Sequence, residues 1–166
     1  MSVFIENEYK NNIEIDYRNI IQNVINEAID FVCCPYECEI SVTIVDDESI
    51  QKINNSQRGI NRATDVLSFP FLEFEKPADF SHVEEQIDCF HPDSGELMLG
   101  DIVISYDRVK QQAEEFNHSQ IREIAFLTAH SMLHLFGYDH MEDEERIDME
   151  NKQNIILNNL GITREI

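Results

Sequence analysis

The chain has 166 residues, 42% of them hydrophobic and 27% charged, which suits one domain with a buried core. Twelve Lys and Arg stand against thirty-three Asp and Glu, a net charge of −21, and this argues against a protein that binds duplex nucleic acid, DNA included, through a broad basic face. No apolar run reaches the roughly 18–20 residues of a membrane span, and the start MSVFIENEYK lacks the basic flank and apolar core of a signal peptide. A cytoplasmic protein without membrane contact is the expectation.

In chain order, Val3, Phe4 and Ile5 suggest a short strand. Asp16 is placed to cap a helix whose apolar face carries Ile20, Ile21, Val24, Ile25, Ala28 and Ile29. Ile40, Val42 and Ile44 alternate with polar residues, as in a half-buried strand. Asp46 and Asp47 lead into a short helix that stops near Gly59, and Val66–Phe69 is strand-like up to Pro70. From about residue 73 to 96 periodicity is lost and the chain turns acidic. A loop of that length suggests a lid, a binding element or disorder.

Leu97–Ser105 is a nearly continuous apolar strand, followed by a helix over Tyr106–Phe116. A second helix, over His118–Phe136, has an apolar face wide enough to be mostly buried and ends before Gly137, a C′ glycine. An acidic last helix covers about Glu142–Leu160, its first turn favoured by the helix dipole. The order of elements predicts an α+β fold: a single domain over residues 1–166, with about four strands packed against about five helices.

Of four cysteines, Cys33 and Cys34 are adjacent, Cys38 opens a strand and Cys89 stands apart. Small buried thiols, rather than disulfides or a metal knot, account for them. The histidines are more informative. In HSMLHLFGYDH, His130 and His134 are four residues apart and so project from one helix face. Gly137 lets the chain turn back so that His140 approaches the pair. Three neutral imidazoles with an open fourth position form the ligand set of a catalytic zinc, which lowers the pKa of bound water to about 7. Two helix histidines alone are more often ordinary core or surface residues; the third, after a glycine turn, shifts the balance to a metal site. His82, His91 and His118 lack such spacing and read as loop or cap residues. The zinc-protease motif H-E-x-x-H needs a glutamate where Ser131 stands, so a peptidase of that type is not expected.

HSMLHLFGYDH, with RGINRATDVLSFPF and the GDIVIS strand before it, resembles the YbeY family of bacterial ribosomal-RNA maturation endoribonucleases. The resemblance runs from about Ile40 to the final helix, with Ser131 standing where the family has a glycine. It implies an α+β fold with a small mixed sheet and a metal-dependent, single-strand-specific ribonuclease that processes the 3′ end of small-subunit ribosomal RNA. It assigns His130, His134 and His140 as ligands of one zinc ion per chain, with His134 and Arg58 in the catalytic machinery. Its implied partners are single-stranded RNA, the small ribosomal subunit and assembly proteins, including a small-subunit ribosomal protein and an assembly GTPase.

The residues support parts of that reading by themselves. Arg58 lies in Ser49–Thr64, the longest acid-free stretch of this acidic chain, and its planar fork suits a phosphodiester. Lys52 and Arg62 are weaker candidates for guiding the RNA backbone. Asp139 either caps the turn after Gly137 or orients a ligand histidine. Thr64, Asp65 and Ser68 suit turn formation, and Phe71 and Phe74 suit base stacking, whereas Phe69 suits the core. Two other readings remain open on the residues alone: a metal-dependent hydrolase of another substrate, and a ribosome-assembly binding protein with a structural metal.

Overall fold

A computed structural model describes residues 1–163; the last three residues of the expected 1–166 domain lie outside them. Four strands, β1 (Ser2–Asn7), β2 (Cys38–Val45), β3 (Val66–Pro70) and β4 (Leu97–Ser105), form one mixed sheet in the order β1-β2-β4-β3. β1, β2 and β4 run parallel, and β3 pairs antiparallel with β4 as an edge strand. The helices are α1 (Tyr17–Phe31), α2 (Asp47–Arg58), α3 (Tyr106–Glu115), α4 (Gln120–Leu135) and α5 (Asp143–Asn159). This is the expected α+β architecture.

The helix starts follow from capping. Asp16 accepts from the Asn19 amide at α1 and Asp46 from the Ser49 amide at α2. α4 begins two residues later than its periodicity suggests, because the Ser119 hydroxyl takes the Arg122 amide and leaves His118 outside the helix.

One face of the sheet presents Ile40, Val42, Ile44, Leu99, Ile102 and Ile104 to α1 and α4, which makes the main core. A smaller cluster of Val45, Ile50, Leu67 and Val103 lies under α2, with Phe69 packed on it as expected. α4 is buried on nearly every side. Its middle position in the core holds the histidine face rigid.

The acidic stretch after β3 is neither free nor structureless. It contains two 3₁₀ helices, Phe80–Glu85 and Ile87–Cys89. Phe80 packs edge-on against Phe74 at 5.6 Å and Phe136 at 5.8 Å, and Val83 is buried. Phe74, Phe80 and Val83 thus anchor a segment whose other residues are mostly exposed, at a spacing too irregular to read as helix or strand. Phe74 is consequently a packing residue rather than an open stacking platform, while Phe71 remains exposed. Of the cysteines, Cys38 is fully buried but Cys33 is exposed, with a positive φ just past α1.

Candidate metal centre

α4 ends in a Schellman turn: Tyr138 donates its amide to the Leu133 carbonyl and Gly137 to the His134 carbonyl. Gly137 sits at φ +92, and a Cβ there would meet the Phe74 Cβ at 2.8 Å, so both backbone and packing call for glycine. The reversal brings the His140 ring to 5.2 Å from His130 and 4.8 Å from His134, centroid to centroid. One ring nitrogen or more from each histidine lies within 4.8 Å of the others.

That geometry fits a metal. The Nε2 atoms of His130 and His134 are 3.1 Å apart, close to the roughly 3.3 Å edge of a tetrahedron with Zn–N bonds of about 2.0–2.1 Å. The Nδ1 atoms point away to separate partners. His134 Nδ1 lies 2.9 Å from the Tyr138 carbonyl oxygen, an acceptor that fixes the Nδ1–H tautomer and leaves Nε2 to coordinate. His130 Nδ1 meets the side-chain amide of Gln153, a buried residue of α5 whose Oε1 has no partner among the described residues. An amide with an orphaned oxygen beside a ligand ring can turn that oxygen to Nδ1–H when Nε2 is engaged. Burial, then the neighbouring His134 and His140, pushes the His130 pKa down to about 3, and burial likewise lowers His134. Both rings are therefore neutral at pH 7, as ligation requires.

Ser131, in the position of the protease glutamate, is fully buried and bonds the Ser68 hydroxyl at 2.9 Å, tying edge strand β3 to α4 beside His130. Asp139 accepts the His140 amide at 2.7 Å, so it shapes the turn, and the carbonyl of Tyr138 does the tautomer work instead. Asp65 accepts the Val66 amide, the expected turn role, but its other oxygen takes Gln112.

Arg58 ends α2, exposed, and makes no hydrogen bond or ion pair with the described residues. Lys52 is spent on a surface pair with Glu48, and Arg62 is exposed. His91 accepts the Asp93 and Ser94 amides, a cap as expected. His118 lies in the loop before α4, as expected, and in addition its Nε2 lies 2.6 Å from the carboxylate of Glu123, a nearly buried pair. Gln153 escaped the sequence reading, although a signal existed. It falls between Met149 and Ile156 on the buried stripe of α5, where a polar side chain needs a reason.

Residues 4–161 match the family described as Endoribonuclease YbeY. The chain belongs to this family. Curated relatives carrying that name include one from Lachnospira eligens, 53% identical over 99% of this chain and 100% of its own length. Another, from Lachnoclostridium phytofermentans, is 54% identical over the same shares, and one from Clostridium perfringens is 44% identical over 98% of this chain and 99% of its own. The solution structure of TM1509 from Thermotoga maritima superposes with a TM-score of 0.57 at 25% identity, covering 94% of this chain and 87% of that one. The fold of that protein thus agrees with the mixed sheet and helices described above. Among the described residues no helix is long and apolar enough to cross a membrane.

Proposed function

We propose that this chain is a metal-dependent endoribonuclease that cleaves single-stranded ribosomal RNA at the 3′ end of the small-subunit transcript, in the cytoplasm, with one zinc ion on His130, His134 and His140. The convergence of three imidazoles within 4.8 Å, in a chain of the endoribonuclease family, carries the reading. When bound, the metal supplies Lewis acidity and lowers the pKa of a water molecule at its open position.

The chain's own residues do the rest. Tyr138 and Gln153 orient two of the three rings through their Nδ1 atoms. The Ser68–Ser131 bond keeps the cleft-side strand against the ligand helix. Arg58, whose guanidinium is not engaged by other described residues, holds two oxygens of the phosphodiester and stabilises charge that develops on them. At −21, with few basic residues to meet a polyanion, specificity comes from docking on basic ribosomal and assembly proteins. The exposed Glu73, Glu75, Glu84, Glu85 and Asp88 of the anchored acidic segment supply that surface.

The test is cleavage of single-stranded RNA by wild type and by His134→Ala, with metal content measured for both. Loss of metal and of cleavage together is the expected result. Equal cleavage by the variant, or cleavage of a peptide library in place of RNA, would overturn the reading.

A further inference from the structure

A cavity of about 630 Å³ opens between α3, α4 and α5, within the roughly 300–1,000 Å³ of small-ligand sites. Three elements place it next to the metal centre. On α4, Phe126 and Leu127 line it one turn before His130, a rise of about 5 Å. On α5, Glu150 and Asn154 line it and bracket Gln153, the residue that meets His130. At the start of β3, Asp65 lines it three residues before Ser68, the partner of Ser131.

The lining selects its ligand. Asp65, Glu123 and Glu150 contribute three carboxylates against the single guanidinium of Arg122, which donates to the Ile162 carbonyl, so the lining is net acidic and disfavours a phosphate. Two of these carboxylates are held in a chain: Gln112 Nε2 donates to Glu123 at 2.6 Å and to Asp65 at 3.4 Å, and His118 sits on the other Glu123 oxygen. The wall is preorganised rather than adaptable. Phe116, 59% exposed, and Phe126 offer aromatic faces. The amides of Asn117 and Asn154, both exposed, add donors and acceptors that can read polar edges. An uncharged planar ring with polar edges fits this lining, and in an RNA strand that is the base.

We infer that this cavity receives a nucleobase of the substrate strand, about one nucleotide from the phosphodiester at the metal centre. The inference rests on the endoribonuclease reading and adds to it a subsite: the backbone passes the histidines while a neighbouring base turns into the α3–α4–α5 cavity. His118 and Glu123 are positioning residues there, since they hold the wall and do not reach the reacting atoms.

The experiment uses the full-length, metal-loaded protein and short single-stranded RNAs in which one base at a time is replaced by an abasic site. Affinity is read by fluorescence anisotropy at 4 °C, and cleavage of the intact strand is followed in parallel. One position, next to the cleaved bond, should lose affinity on the order of 10-fold when its base is removed. Phe116→Ala, at an exposed site that does not support the core, should weaken the intact strand similarly and abolish the penalty at that position alone. Asn154→Leu should act in the same direction. A flat abasic profile with normal cleavage would overturn the subsite and leave the ribonuclease reading standing. Additive losses from Phe116→Ala and base removal would also overturn it. A protein that neither binds nor cuts any RNA would overturn both.

Discussion

Replacing Gln153 by leucine removes the side-chain group that, among the described residues, meets His130 Nδ1, while filling nearly the same volume. The glutamine is 1% exposed, and its Oε1 has no partner among the described residues. Its amide nitrogen faces Nδ1, an orientation that suits a ring protonated on Nε2. Metal ligation through Nε2 needs the opposite tautomer, so the amide must rotate by half a turn and present its oxygen to Nδ1–H. Loss of such an outer partner costs about 10–100-fold in metal affinity, or roughly 1.4–2.7 kcal/mol at 1.36 kcal/mol per tenfold. Gln153→Glu keeps an acceptor in the same place and should retain or tighten binding. The assay is competition for zinc against a chelator of known affinity, with circular dichroism to confirm the fold. Unchanged zinc affinity in a folded Gln153→Leu protein would refute the argument that α5 orients the ligand ring.

Other consequences follow from the same geometry. Arg58→Ala should keep metal and circular dichroism but lose most RNA cleavage, and Arg58→Lys should restore little, since a point charge does not reproduce two-pronged contact; full activity in the alanine variant would remove Arg58 from the machinery. Gly137→Ala forces a left-handed residue against Phe74, so melting should fall by about 2–8 °C and zinc affinity should drop as His140 moves, both readable by thermal scans with and without zinc. With metal removed, the depressed pKa values of His130 and His134 mean that the unfolded chain takes up protons first, near 6.5, while the folded chain does not. Stability should therefore decline as pH falls from about 6.5 toward 3, and a melting temperature that rises over this range would contradict the burial of these rings. Converting Glu73, Glu75, Glu84, Glu85 and Asp88 to their amides should weaken binding to ribosomal particles while cleavage of short naked RNA holds or improves; tighter particle binding would make the acidic segment a gate against RNA instead of a docking surface.

Much of the architecture was legible because it is written in local periodicity. The alternation of Ile40, Val42 and Ile44, the Asp16 and Asp46 caps, and the apolar run of Leu97–Ser105 each declare an element over a few residues. The three-histidine group was legible for the same reason, since His130 and His134 share a helix face by spacing and Gly137 announces the reversal that returns His140. The packing of the acidic segment was not legible, because its anchors, Phe74, Phe80 and Val83, are irregularly spaced and gain meaning only against Phe136, more than fifty residues away.

The sequence by itself determined most of the elements, the grouping of His130, His134 and His140, and the family, because each rests on short-range pattern or on motifs read in order. Only the tertiary structure decided what surrounds those histidines. Gln153 reaches His130 across 23 positions and Ser68 reaches Ser131 across 63. The chain Asp65–Gln112–Glu123–His118 closes a cavity wall from three separate segments. No local rule sets such pairings. They arise because a buried donor or acceptor must find a partner once the core has formed, and which partner is near is fixed by how the sheet and helices pack.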